Sequence, residues 1–227
     1  MDSNHIVALI PAHNESAHIA GVVSSACQYL PVLVVDDGST DDTARLAEQA
    51  GARVLRQTPN QGKGAAMIAG FRVCLADGCA AVVTLDGDGQ HDPAEIPRFL
   101  NYYASQPVGL VIGRRQFSKM PLLRRTTNTI GRFMFSWAVR QPIPDNQSGY
   151  RLVAAPLMQL LIDSDEKGFE LEVDMITLCL KHNLGLGWVP IRTIYAGEAS
   201  HIRKMHHLVH YFRIVAKARR TMRPKKQ

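Results

Sequence analysis

The stretch TLDGDGQHDP at 84–93 places Asp86, Asp88 and Asp92 in one short loop, directly after the apolar run AAVVTL. Carboxylates this close repel and raise one another's pKa, so a positive partner belongs among them. An Asp-x-Asp pair offers hard oxygen ligands. A hard divalent cation such as Mg²⁺ or Mn²⁺ suits them and keeps coordination positions for the oxygens of a diphosphate. Gln90 can add a carbonyl oxygen or order a bound water, and Gly87 and Gly89 let the backbone come close to a ligand. Asp92-Pro93 reads as a helix cap. Asp92 is therefore assigned to capping, and Asp86 and Asp88 to the cation.

Two more polar clusters carry chemistry. In VVDDGST, Asp36 and Asp37 end an apolar run. A carboxylate there accepts from a ribose hydroxyl or a base N–H, or else forms an Asx turn into the next helix. Asp37 is read as the ligand and Asp36 as its support. NQGKG at 60–64 is glycine-rich before a helix, where Lys63 can meet a phosphate. GxxxxGK[ST], GxGxxG after a strand, GxSxG and HExxH are all absent, which weakens kinase, ATPase, dinucleotide-dehydrogenase, hydrolase and zinc-protease readings.

The elements that must position these residues alternate along the first half. Strands are expected at 6–12, 32–37, 52–57, 80–85 and 109–113, with helices at 16–30, 37–51, after NQGKG, and from DPAEIPRFLNYYAS. Thr40 or Asp41 caps the second helix. Apolar strands alternating with helices mean a parallel sheet covered on both faces, with ligands bound beyond the carboxyl ends of the strands. PAHNE, DDGS, DGDGQHD and GRR all fall at those ends. The second half reads as a helix at 120–141, a loop PIPDNQSG, a helix at 169–183, a strand at 188–196 and a helix at 205–220. Phe133, Met134, Phe135 and Trp137 can face either lipid or the core, and the core is favoured.

The 227 residues, 46% of them apolar, are enough for a sizeable core without disulfides. The four cysteines form no CxxC pair, which points to reduced, mostly buried thiols and a cytoplasmic protein. No signal-peptide pattern opens the sequence, and no apolar run reaches the roughly 20 residues of a membrane span. The chain is expected to be soluble or to lie on a membrane. After Glu198 there is no acid, and nine Lys or Arg follow against a net +6 for the whole chain, so the body nets 6 − 9 = −3. The tail's expected partner is anionic. A basic amphipathic helix with Met205, Leu208, Val209, Phe212 and Val215 on one stripe fits an anionic membrane surface. Nucleic acid is disfavoured, because the basic residues sit at one end without interleaved aromatics.

In order, IPAHNE, VVDDGSTDDT, NQGKGAA, TLDGDGQHDP, GRR, DNQSGYRL, GFELEVDMI and VPIRTIYAGEASH resemble the motif series of family-2 glycosyltransferases, in particular the dolichyl-phosphate mannose synthases and bacterial polyprenyl-phosphate relatives. The likeness runs from about Ile6 to about His201. It implies a GT-A fold, α/β with a mostly parallel sheet flanked by helices. Residues 1–200 would form one domain, with a nucleotide-sugar half at 1–116 and an acceptor half at 117–200. The basic helix and tail would occupy 201–227. It also implies roles. Pro11, His13 and Glu15 match nucleotide contacts, His13 standing where the family usually has Tyr. Val35 and Asp37 match base and ribose contacts. Asp86, Asp88 and Gln90 match the metal motif, and Arg115 an arginine near the donor phosphates. Asp145, Ser148, Gly149 and Arg151 match the acceptor-side loop. The basic pair after the VPI strand is replaced by YAGEASHIRK, so His201, Arg203 or Lys204 would supply its charge.

The resemblance implies inverting transfer from a nucleoside-diphosphate sugar, with Arg115 and Lys63 assisting the cation at the leaving diphosphate. A lipid-phosphate acceptor is already anionic and needs no base, and Arg151, His201 and Arg203 would dock it. A hydroxyl acceptor needs a carboxylate base, with Asp145, Glu172 and Asp174 as candidates. A sugar nucleotidyltransferase is the rival, and it would need a glycine-rich basic first loop that PAHNES does not provide.

Overall fold

The computed structural model describes residues 5–115, 122–163, 170–192, 213 and 215–222. His201, Arg203 and Lys204, and most of the expected C-terminal helix, lie outside them.

Strands β1 (Ile6–Ala12) and β2 (Val32–Asp37) occupy the expected residues, and almost every side chain in them is buried. Each feeds a helix, α1 (Ile19–Ala26) and α2 (Thr43–Gln49). Strand β3 (Arg53–Gln57) leads to α3 (Lys63–Ala76), and β4 (Ala81–Thr84) to a 3₁₀ turn (Pro93–Glu95) and α4 (Ile96–Ser105). Asp92 caps that turn by accepting from the Ala94 N–H at 3.0 Å. Strand β5 (Leu110–Arg115) runs two residues beyond the expected end, which places Arg114 and Arg115 inside it. Then come α5 (Leu122–Val139), β6 (Arg151–Ala154), α6 (Ala155–Leu161), α7 (Glu170–Lys181) and β7 (Leu186–Ile191).

The seven strands form one sheet in the order β3-β2-β1-β4-β6-β5-β7. All neighbours are parallel except those of β6, which runs antiparallel to β4 and β5. The sequence reading missed β6. Its four residues, RLVA, are buried throughout and show no alternation to detect. One apolar cluster fills the face under α3, α6 and α7, and the other the face under α1 and α4.

Two expectations about apolar surface are corrected. Phe135 is core, but Phe133 and Trp137 are exposed. The periodicity of α5 shows an apolar face without showing what covers it. In the described part of the C-terminal helix, Val215 and Ala218 are buried and Met222 packs on the core cluster. The apolar side of those turns meets the body of the protein, so it is not available to a membrane.

Candidate active site

The polar loops converge at the carboxyl ends of β1, β2, β4 and β5. The first two are stitched together. The Asn14 N–H donates to Ser39 Oγ at 2.9 Å, and Asn14 Oδ1 accepts from the Thr40 N–H at 2.8 Å. The Glu15 N–H donates to Thr43 Oγ1 at 2.8 Å. Asp41 takes the Thr43 N–H at 3.0 Å and the Ser16 N–H at 3.2 Å. Pro11 is buried under this loop and His13 is exposed at its tip. Val35 and Asp37 are buried in β2. The Asp37 carboxylate accepts from the Gln61 N–H at 2.8 Å and the Gly62 N–H at 2.7 Å, and so fixes the loop that starts α3. Asp36 accepts from the Ser39 N–H at 3.2 Å, the turn expected of a supporting residue.

Lys63, first in α3, is thereby aimed at the end of β4. Its Nζ lies 2.7 Å from Asp86 Oδ1 and 2.9 Å from Glu172 Oε1 on α7. Burial disfavours the Lys63 ammonium, but Asp86 and Glu172 outweigh it and raise its pKa. Burial alone would raise the Asp86 pKa, yet the Lys63 charge, helped by His91, holds it at about 2. The Asp86 N–H donates to His91 Nδ1 at 3.1 Å, and burial lowers the His91 pKa. Gly149 makes room for the pair. A Cβ there would stand 3.0 Å from Asp86 Oδ2 and 3.1 Å from Lys63 Nζ. The sequence reading gave His91 no role, although QHDP follows the acidic pair directly, and it named Glu172 only as a candidate base.

Asp88 differs from Asp86. Burial raises its pKa, against the one hydrogen bond it accepts among the described residues, from the Gln90 N–H at 2.9 Å. Gly89, at φ 75°, makes the turn that brings that N–H back. Among the described residues no group of three or more His, Cys, Asp or Glu forms a ready-made metal cage. The donors present fit the chemistry of Mg²⁺ or Mn²⁺, which bind through one or two carboxylates and leave positions for water and phosphate oxygens. A half-desolvated Asp88 beside Asp86 gains from a cation there.

On the other side of the site, Arg115 and Asp145 form a two-pronged ion pair, with Nε 2.8 Å from Oδ2 and Nη2 2.9 Å from Oδ1. Asp145 also accepts from the Gln147 N–H at 3.1 Å. Asp174 pairs with Lys217 at 2.8 Å. Ser148 is buried and its Oγ has no partner among the described residues. The acceptor-docking role expected of Arg151 is corrected. Its guanidinium is fully buried and bonds the carbonyls of Ser148 at 2.7 Å, Asn146 at 3.2 Å and Glu172. It joins the acceptor-side loop to α7.

An acid limb follows from Asp86. Its carboxyl titrates near 3.8 when unfolded and near 2 when folded. The stability it contributes is complete above about pH 4 and is lost as pH falls through about 2, roughly 2 kcal/mol in all. Thermal melts from pH 7 to 2 should show this loss in the wild type and a shallower one in Asp86→Asn. Equal slopes would mean that Lys63 does not hold Asp86.

The model of the family described as "Glycosyl transferase family 2" matches residues 7–155, from β1 through β6. The chain belongs to glycosyl transferase family 2. It is a glycosyltransferase. Family members with similar sequences include polyprenol monophosphomannose synthase from Mycolicibacterium smegmatis, 30% identical over 81% of this chain and 75% of that one. Undecaprenyl-phosphate mannosyltransferase from Micrococcus luteus is 34% identical over 75% of each chain. The UDP-N-acetylglucosamine–dolichyl-phosphate N-acetylglucosaminyltransferase of Methanococcus voltae is 27% identical over 84% of this chain and 86% of that one. Glucosyl-3-phosphoglycerate synthase from Mycobacterium tuberculosis, solved with Mn²⁺, UDP-glucose and phosphoglyceric acid, superposes with a TM-score of 0.74 at 21% identity, over 98% of this chain and 82% of that one. This likeness shows the GT-A fold.

Proposed function

We propose that the chain transfers a sugar, with inversion, from a UDP- or GDP-linked donor to a lipid phosphate such as a polyprenyl phosphate, using Mg²⁺ or Mn²⁺. The observation that carries the reading is the Asp86–Lys63–Glu172 cluster beside the half-desolvated Asp88 at the ends of parallel strands. Asp86, Asp88 and Gln90 would hold the cation, which supplies Lewis-acid stabilisation of the leaving diphosphate. Lys63 and Arg115 keep positive charge fixed beside it. Pro11, His13, Glu15, Val35 and Asp37 form the nucleotide side.

The lipid-phosphate acceptor is favoured over a hydroxyl by the state of the candidate bases. Asp145 is engaged by Arg115, Glu172 by Lys63 and Asp174 by Lys217. A phosphate oxygen is already anionic and asks none of them for a proton transfer. Three named relatives act on such lipids, which supports the same choice. Ser148, whose hydroxyl has no partner among the described residues, is assigned to the acceptor side, as are His201 and Arg203, which lie outside the described residues. The work place proposed is the cytoplasmic face of a membrane. Among the described residues no helix is long and apolar enough to cross one.

The test is transfer from a panel of labelled nucleoside-diphosphate sugars to polyprenyl phosphate and, separately, to polyprenol. One donor should label the phosphate only, with activity lost on chelation and restored by Mn²⁺. Labelling of polyprenol alone would establish the hydroxyl reading instead. Formation of donor from a sugar phosphate and a nucleoside triphosphate would establish the nucleotidyltransferase.

A further inference from the structure

Ile130, Phe133 and Trp137 stand one and two turns apart on α5, at i, i+3 and i+7, so they share a face. They are 62%, 77% and 58% exposed. Soluble surfaces rarely present large apolar side chains in such a row unless something covers them. The next turns of α5 bury Phe135, Ala138 and Val139, so the helix is seated on the core by its other side.

The charge around this stripe identifies what covers it. No Asp or Glu occurs from Ile96 to Pro144, a stretch with eight Lys or Arg, and none occurs after Glu198, where nine more follow. These two acid-free segments hold 8 + 9 = 17 of the chain's 26 basic residues, and among the described residues they touch where Arg219 meets Trp137. The Arg219 guanidinium lies 3.6 Å from the centroid of the Trp137 ring. Arg213 and Arg220 are exposed on the same C-terminal segment, and Arg140 is exposed at the end of α5. An indole beside guanidinium groups, with aliphatic and aromatic neighbours, matches the headgroup boundary of an anionic bilayer. There the ring and the apolar side chains enter the acyl region, and the cations remain at the phosphates.

We propose that the Ile130–Phe133–Trp137 face of α5, with the basic side of the C-terminal helix, docks the protein on an anionic lipid surface. The C-terminal helix supplies charge, and α5 supplies the inserted apolar groups. The connection also has a use for the site. The chain leaves the sheet at Arg115, passes through α5 and comes back beside that strand at Asp145, before β6, and those two residues grip each other. This deepens the lipid-phosphate reading and rests on it for its purpose, but the surface is tested by binding and not by transfer.

The experiment is co-sedimentation of the full chain with vesicles of phosphatidylcholine alone and of phosphatidylcholine with phosphatidylglycerol. The wild type should bind the anionic vesicles, more weakly as salt rises. Phe133→Ser/Trp137→Ser should reduce binding at least tenfold, with an unchanged melting temperature. Ile130→Ser/Phe133→Ser, which keeps the Arg219–Trp137 contact, should do nearly the same. In a Trp188→Phe background, Trp137 fluorescence should shift to the blue on adding anionic vesicles. Binding that is unaffected by either double variant means that the basic tail acts alone, and overturns the proposal. So does absence of vesicle binding in the wild type, or a wild-type dimer that the serine variants convert to monomer. Failure of sugar transfer to polyprenyl phosphate with vesicle binding intact would instead count against the acceptor reading.

Discussion

Transfer by an Asp88→Ala variant is expected to fall by about 10²–10³-fold, the usual cost of removing one electrostatic partner of the transition state. Its stability should hold or rise slightly. The two outcomes have one cause. Asp88 sits where burial raises its pKa, and among the described residues it accepts only one hydrogen bond to offset that burial. Its charge is therefore a burden on the folded protein until a cation arrives. The sign is opposite to that of Asp86, whose carboxylate Lys63 holds at about 2 and whose removal should cost stability. Measuring kcat/KM with labelled donor alongside thermal melts separates the two residues. An Asp88→Ala variant with unchanged kcat/KM would remove it from the catalytic machinery. A large fall in melting temperature would make it a structural residue. The same logic predicts that Mn²⁺ with UDP stabilises the wild type and not this variant.

The fold was legible where burial is complete and local chemistry ends each strand. The apolar runs of β1 and β2 stop at polar clusters, and their observed bounds equal the expected ones. Asp92 could be read as a cap because capping involves only the next two residues. The second half was harder. β6 is four buried residues without a period, and its antiparallel place between β4 and β5 depends on pairing that no local pattern encodes. The expected strand at 188–196 begins earlier, at Leu186, and ends at Ile191, with Arg192 outside it and 193–196 outside the described residues. In the site, the residue types at the strand ends announced themselves, but their pairings did not. Lys63 and Glu172 are 109 positions apart, and nothing short of the packing of α3 against the sheet and α7 brings them to 2.9 Å. The same holds for Arg151. An arginine beside SGY reads as an exposed basic group until the sheet closes over it.

Arg151→Met is expected to destabilise the chain by about 3–5 kcal/mol, the range for breaking a buried charged group out of its network. The guanidinium reaches the carbonyls of Ser148 and Asn146 in the acceptor-side loop and of Glu172 on α7, and its Nη1 also lies 3.8 Å from Met175 Sδ. Burial lowers its pKa, while Glu172 and Asp145 favour the charged form. Methionine fills much of the volume but donates to none of the three carbonyls, and each acceptor left bare costs about 1–3 kcal/mol before relaxation. Lysine keeps the charge but has no planar fork to serve two elements at once, so Arg151→Lys should fall between wild type and Arg151→Met. Urea denaturation of the two variants gives the order. Where Arg151→Met is too unstable to purify, Arg151→Lys still tests the idea, because an arginine that docks acceptor phosphate would change acceptor KM and leave the unfolding midpoint alone. A lowered midpoint with unaltered KM assigns Arg151 to joining the acceptor loop to α7. That junction sets where Glu172, and through it Lys63 and Asp86, can stand.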